Sequence, residues 1–370
     1  MTASLLWDAG PGETRAGLVE HGQLTEFRII RPRRRERALL AAGEIYTARI
    51  TSGLGNGRAL VTLGEGIDAI LQPVPKLSEG TLLAVEMTRA PVPEPGRWKL
   101  AQVKPARDIV AQAQIGWHFS AEPWELFFRR MAGKVDEFVC PDAATANELR
   151  NLILQDSSVS VRVDEVMIDE ADFDGLIELG VSGDFPLECG ALSIERTRAM
   201  TMIDVDGSGD AAAINRAAAQ EIPRLLRLFD IGGQIGIDFL ASPDRKARLD
   251  LDSILAEACG QLGAHERTAV NGFGFVQIVR PRTGPSIPEI VCETTVGRLS
   301  IDSKAVALLR EAGRSKGHGP RRLVGPPAVV DRIKDWPEEI DALRKSLGVA
   351  IELVSDASIA GYGHVHVSQS

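Results

Sequence analysis

Two apolar runs end in aspartate, residues 199–206 (Ala-Met-Thr-Met-Ile-Asp-Val-Asp) and 234–240 (Gln-Ile-Gly-Ile-Asp-Phe-Leu). Between them, residues 211–228 carry apolar side chains at a helical period. A strand, a helix and a second strand form a crossover whose strands lie parallel and usually adjacent. That unit places Asp204 and Asp238 side by side at the carboxyl ends of neighbouring strands, where α/β sheets tend to carry their sites. Asp206, two residues on, falls on the same face as Asp204. Converging carboxylates repel one another unless a cation sits between them. Hard oxygen ligands in an incomplete shell suit Mg²⁺, which substrate phosphate then completes. The pattern predicts a metal site that cleaves phosphodiester bonds.

The remaining pattern comes in blocks. Residues 4–30 alternate apolar and polar around Gly10-Pro11-Gly12 and His21-Gly22, which predicts a β-meander. Short strands at 44–50, 58–63, 68–71, 82–87 and 98–102, separated by Gly-rich turns, predict a small closed barrel of the OB type. A mostly helical stretch is expected at 108–133 and mixed α/β sequence at 135–205. The last block, 291–370, reads as helices around 304–312 and 338–347, with strands at 350–354 and 363–367. Pro223 falls inside the 211–228 helix, where it costs about 3 kcal/mol. A kink or a late helix start is expected there.

Composition narrows the picture. A chain of 370 residues exceeds one typical core, so two to four folding units are expected. The net charge of −9 argues against a non-specific nucleic-acid coat. The basic run at 31–37 reads first as a solvated linker and, more sharply, as a phosphate contact. No apolar run reaches membrane length and no basic-then-apolar leader opens the chain, so a cytoplasmic location without a membrane partner is expected. Cys140, Cys189, Cys259 and Cys292 are far apart and read as thiols in a reducing compartment. His364 and His366 alternate on the final strand. With no third ligand nearby in sequence, they read as ordinary strand residues. An apolar strand followed by Asp204-Val205-Asp206-Gly207 also looks like the first motif of haloacid-dehalogenase-type phosphatases, but the later lysine and acidic motif of that family are not found in order.

Several segments carry a family resemblance. They are residues 13–24 (Glu-Thr-Arg-Ala-Gly-Leu-Val-Glu-His-Gly-Gln-Leu), 44–51 (Glu-Ile-Tyr-Thr-Ala-Arg-Ile-Thr), 194–205, 215–239 and 271–282 (Asn-Gly-Phe-Gly-Phe-Val-Gln-Ile-Val-Arg-Pro-Arg). In this order the chain resembles the ribonuclease E/G family of endoribonucleases over nearly its whole length. The resemblance implies an α/β (α+β multidomain) protein. An RNase H-like subdomain would take residues 1–38 and 134–180, and an inserted OB-type RNA-binding barrel 39–106. A reduced sensor region would follow at 107–133, a catalytic metal-binding nuclease subdomain at 181–290, and a small C-terminal α/β domain at 291–370.

The same resemblance implies that Asp204 and Asp238 hold a catalytic Mg²⁺. Asp206 stands where the family usually has Asn, as a third catalytic carboxylate. Phe273, Arg280 and Arg282 would lie along single-stranded RNA, and cleavage would leave a 5′-phosphate and a 3′-hydroxyl. Departures are also legible. Leu60 and Ile70 stand where base-stacking aromatics are expected, so the barrel's grip would rest on Arg97, Trp98 and Lys99. Arg198 replaces an acidic residue before the metal strand. The Arg-Thr motif of the 5′-end sensor is missing. Thr295 replaces the second cysteine of a CxxC beginning at Cys292, so no structural zinc is expected, and any homo-oligomer would not be zinc-linked. The expected function is Mg²⁺-dependent cleavage of single-stranded RNA in processing or decay. The alternative is a weakly active or non-catalytic RNA-binding factor in RNA maturation.

Overall fold

The computed structural model describes the chain except residues 1–2, 33–41, 65, 77, 95–96, 119–123, 125–126, 129–130, 132, 154–158, 242–243, 294–296 and 369–370. It divides into two compact units, one of residues 1–31, 132–183 and 287–370, the other of residues 32–131 and 184–286. The protein is a mixed α/β chain of several sheets and one closed barrel.

In the first unit the alternating pattern of residues 4–30 forms the meander β1 (Ala3–Gly10), β2 (Glu13–Glu20) and β3 (Gln23–Ile30). β12 (Glu137–Cys140) and β13 (Ser160–Val163) extend it to the order β13-β12-β1-β2-β3, with β1, β12 and β13 parallel. Phe27 stacks on Phe173 of the helix Phe173–Ser182 at 5.0 Å between ring centroids, fastening that helix to the sheet. A second sheet has the order β21-β20-β22, from β20 (Arg321–Gly325), β21 (Ile351–Ser355) and β22 (His364–Val367). Its core joins Leu323 and Ile351 to Leu308, Ile333, Trp336 and Leu343 of the helices Ile301–Arg314, Pro327–Lys334 and Pro337–Leu347 and the turn between the last two. The pattern had pointed to two of those helices and the last two strands, but not to β20 or the helix Pro327–Lys334.

Charge joins these parts, buried at Asp8, Glu13, Arg15 and Arg310 and half-exposed at Asp174 and Arg314. Arg15 binds Glu13 at 2.8 Å and Asp174 at 2.6 Å, while Arg31 reaches Glu13 at 3.1 Å and the Ser303 hydroxyl at 2.9 Å. Arg310 donates to the Asp8 carboxylate and to the Glu13 carbonyl, and Arg314 reaches both Asp8 and Asp174. Breaking one partner of such a buried set costs about 3–5 kcal/mol, because a charge is left unpaired. Nearby, the buried Arg321 guanidinium donates to the Ser315 hydroxyl and to the carbonyls of Ser315, Gly317 and Gly319. It thereby sets the path of loop 315–320.

In the second unit β4 (Ile45–Gly55), β5 (Arg58–Gly64), β6 (Ile67–Leu71), β7 (Leu82–Arg89) and β10 (Ala101–Pro105) close a five-stranded barrel. The order is β4-β5-β6-β10-β7 and back to β4, with β6 and β10 parallel and the other pairs antiparallel. Tyr46, Val61, Leu71, Val85, Met87 and Val103 fill it. Strand β11 (Gly116–Trp117) adds to β4. The fifth barrel strand starts at Ala101, later than expected, because Trp98 belongs to a separate hairpin of β8 (Val92–Glu94) and β9 (Arg97–Lys99). The expected helical stretch 108–133 is instead non-helical through β11, with helical backbone at Trp124, Phe127, Phe128 and Met131 among the described residues.

The other sheet of this unit runs β14 (Asp184–Leu187), β15 (Gly190–Arg196), β16 (Thr201–Asp206), β17 (Gly233–Asp238), β19 (Phe275–Arg280) and β18 (Glu266–Arg267). Only β16 and β17 are parallel, joined by the helix Ala211–Leu228. That helix starts on an Asp210 cap and continues through Pro223, without the late start that proline had suggested. Ile222, Pro223, Leu225 and Leu226 are all buried, and packing of that face offsets the missing backbone donor.

The buried network of the first unit should respond to acid. Burial alone would raise the Glu13 carboxyl, but the guanidinium groups of Arg31, Arg15 and Arg310 outweigh it and hold the group below the usual carboxylate range. A depressed folded pKa contributes stability that is complete above the unfolded pKa and is lost as pH falls through the folded one. Melting temperature is therefore expected to drop as pH falls below about 4.3, the unfolded Glu value. Glu13→Gln should lower stability at pH 7 and flatten that acid slope; an unchanged slope in thermal melts would assign it to other groups.

Candidate active site on an open sheet face

The six-stranded sheet has two unlike faces. Ile203, Val205, Ile235, Ile237, Val276 and Ile278 are buried on one, as are Ile214, Ala218 and Ile222 of the connecting helix. The side-chain period of two turns the alternate residues to the other face. There Asp204, Asp206 and Asp238 are all exposed. The parallel register sets Asp204 directly opposite Asp238. Ser193 stands opposite Asp204 on β15, and Phe275 opposite Asp238 on β19. The carboxylates thus occupy the middle of the sheet, at the carboxyl ends of its one parallel pair. Asp206 lies two residues further along, its Oδ1 accepting from the Gly207 amide at 2.7 Å. Helix capping falls to Asp210, which leaves Asp206 without that structural role.

Backbone choices keep this face low. A Cβ on Gly236 would lie 2.8 Å from the Phe275 ring and 2.9 Å from the Met202 sulfur, so only glycine lets both side chains cross the strand beside Asp238. Beyond β17, the Asn215 side chain accepts from the Leu240 amide at 3.0 Å and donates to the Leu240 carbonyl at 2.8 Å. This buried two-point clamp, from the connecting helix to the chain just past Asp238, fixes where the strand ends. In the sequence Asn215 has no assigned role beyond opening the matching segment 215–239. Its signal was a polar residue beside Ile214, Ala218 and Ala219 on an otherwise apolar helical stripe.

Phe273 is 84% exposed, carried on the loop that enters β19. The Asn271 side chain accepts from the amides of Phe273 and Phe275, and Phe239, next to Asp238, donates its amide to the Gly274 carbonyl. Gly274 has φ +89°, and a Cβ there would lie 2.6 Å from the Phe239 oxygen. Asp252 braces the base of the loop, taking the Arg267 guanidinium and the Val270 amide. The hydrogen bond from Arg267 holds its carboxyl below the usual range. An aromatic ring is therefore presented to solvent on a pinned loop beside the carboxylates.

The other expected residues lie elsewhere. Arg280, the last residue of β19, turns its guanidinium inward to the carbonyls of Leu226 and Ile231, both at 2.9 Å, and to Asp230. It clasps the end of the connecting helix, and those donors are spent there. Arg282 lies past the strand with its stem over Gly232 and Gly233. Lys99 and the half-exposed Trp98 are on the β8–β9 hairpin; the side chain of Arg97 lies outside the described residues. Leu60 and Ile70 stand opposite each other on β5 and β6. The backbone of Cys292 pairs antiparallel with that of Leu299 as an isolated β-bridge, and Thr295 lies outside the described residues, as does most of the basic run at 31–37. Among the described residues no three His, Cys, Asp or Glu side chains converge as a metal cluster. No described helix is long and apolar enough to cross a membrane.

Comparison with known proteins bears on this sheet. The model of the Ribonuclease E/G family matches residues 124–283, which hold all three aspartates, Asn215 and Phe273. Ribonuclease E of Escherichia coli (strain K12) is 27% identical over 264 residues, covering 55% of this chain and 24% of that protein. Ribonuclease G of the same organism is 31% identical over 166 residues, 39% of this chain and 34% of its own. A chloroplastic ribonuclease E/G-like protein of Arabidopsis thaliana is 32% identical over 116 residues, 28% of this chain and 12% of its own length. The chain spans about a third or less of the length of these relatives. The matched stretch holds the crossover and its aspartates, and over these residues the chain is similar to the ribonuclease E/G family.

Proposed function

We propose that the chain is a Mg²⁺-dependent endoribonuclease that cleaves single-stranded RNA and leaves 5′-phosphate and 3′-hydroxyl ends. The observation that carries this reading is the register of Asp204 opposite Asp238 on an exposed face, beside the solvent-facing Phe273. Two carboxylates offer only hard oxygens, a donor set that fits Mg²⁺ and leaves positions for water and phosphate. When bound there, the cation would activate water and offset charge on the scissile phosphate. The chain's own part is positional. Asp204 and Asp238 hold the cation, Asp206 adds charge or orients water, and the Asn215 clamp keeps Asp238 in place. Phe273 offers a ring on which a base can stack, an interaction worth about 1–3 kcal/mol.

The strand order β3-β2-β1-β12-β13 supports reading residues 1–38 and 134–180 as an RNase H-like subdomain. The barrel, within 39–106, is the second RNA surface, with Trp98, Lys99 and Arg97 on its hairpin and Arg282 nearer the sheet. Residues 107–133 are a reduced sensor region, and assembly does not use zinc. A second reading, a weakly active RNA-binding factor, is favoured by one observation: the apolar pair Leu60 and Ile70 gives the barrel no stacking ring there. An assay on a labelled single-stranded oligonucleotide, with Mg²⁺ or with EDTA, separates the two.

Asp204→Asn or Asp238→Asn is expected to abolish cleavage and leave the circular dichroism spectrum unchanged, since both side chains are exposed and loss of one relieves like-charge repulsion. Wild-type cleavage by either variant at saturating RNA and Mg²⁺ would refute the metal assignment. Asp206→Asn keeps an oxygen acceptor while losing one charge. It should remain active and require more Mg²⁺; an inactive variant would make Asp206 an obligatory ligand or base. Rates on oligonucleotides with 5′-monophosphate and 5′-hydroxyl ends should differ by less than tenfold, about 1.4 kcal/mol. A larger preference would show that another basic surface senses the end.

A further inference from the structure

The final strand of the first unit carries a pair of side chains that the proposed reaction does not use. His364 and His366 are two residues apart on β22 and so share a face. Their Nε2 atoms are 3.0 Å apart, with the ring planes at 89° and the centroids 4.7 Å apart. At this distance the two ring nitrogens face each other, and neutral imidazole is the form that ligates metals.

We propose that His364 and His366 form a two-imidazole chelate for a borderline divalent transition ion of the Zn²⁺, Ni²⁺ and Cu²⁺ class. The spacing carries the assignment. Two nitrogens each about 2.0–2.1 Å from a cation are about 2.9 Å apart when they subtend a right angle, and about 3.3 Å apart at the tetrahedral angle. The observed separation falls between these values, so a cation can bind both nitrogens with little movement of either ring. Imidazole pairs select ions from the upper end of the first-row affinity order, and the same pair discriminates against Mg²⁺, which demands oxygen.

The strand is held in place before any ion arrives. The Val365 amide donates to the Glu311 carboxylate, the Ser368 amide to the Pro320 carbonyl, and β22 pairs in register with β20. Arg322, opposite His366, is neutralised by two contacts to Glu352 at 3.0 and 3.1 Å. Asp356 lies within electrostatic reach of His364 and favours a cation there. With two protein ligands, the remaining positions are open to water or to a donor from outside the chain.

The test uses the full chain without any histidine tag, freed of metal by chelation, titrated calorimetrically with Zn²⁺ or Ni²⁺ in buffer holding excess Mg²⁺ to occupy the carboxylate face. One ion per chain is expected. Loss of an outer-shell partner already weakens metal sites roughly 10–100-fold, so His364→Ala and His366→Ala should each weaken binding by at least that much. The double variant should bind no ion at this stoichiometry. Cu²⁺ bound to the wild type should show nitrogen hyperfine structure from two imidazoles in its electron paramagnetic resonance spectrum, and from one in either single variant. Circular dichroism checks that the variants fold, as both rings are partly or fully exposed. Absence of binding in the wild type, or undiminished binding in the single variants, would overturn the proposal. Neither result touches the carboxylate site, which Asp204→Asn tests separately.

Discussion

The candidate site depends on one register, the parallel alignment of β16 with β17. Side chains alternate along a strand, so a slip of one residue would send Asp238 into the apolar layer and Ile237 into water. What forbids the slip is visible on the buried face. Ile203, Ile235 and Ile237 are fully enclosed, and exposing one forfeits about 1.5–3 kcal/mol. The connecting helix adds a second restraint through Asn215, whose side chain grips Leu240, two residues past Asp238. Apolar packing therefore sets the direction of each carboxylate, and a single polar clamp sets where the strand stops.

The two units hold together by different means. The barrel is closed on itself and filled mainly by aliphatic side chains together with Tyr46, whose hydroxyl donates to Glu44. The first unit buries Asp8, Glu13, Arg15 and Arg310 between its sheet and its helices. Desolvation offsets much of the attraction within such sets, so they add little net stability. The N-terminal meander and the helix Ile301–Arg314 are separated by most of the chain. The contacts of Arg310 to Asp8 and to the Glu13 carbonyl tie the two together.

Much of this was legible in the sequence because period and punctuation carry it. The meander, most barrel strands and the strand–helix–strand unit with its aspartates follow from alternation, glycine-rich turns and helical spacing. What was not legible depended on tertiary context. Pro223 reads as a helix breaker, yet the apolar face on which it lies keeps the helix whole. Arg280 reads as a surface cation, but one of its guanidinium nitrogens turns inward to carbonyls at the end of the neighbouring helix. Trp98 looks like a barrel residue and lies instead on a side hairpin, since nothing local distinguishes one β-run from two short ones. The convergence of His364 and His366 depends on rotamers that spacing alone does not fix.

Arg321 has a consequence for how this protein can drift. Three of the four groups its guanidinium binds are main-chain carbonyls, which every amino acid supplies. Apart from its glycines and Ser315, whose hydroxyl takes the fourth bond, loop 315–320 can therefore exchange side chains from one generation to the next and keep its path. The burden of inheritance is shifted onto a single codon. A lysine there, with one compact ammonium in place of a planar fork, could not satisfy acceptors spread over five residues.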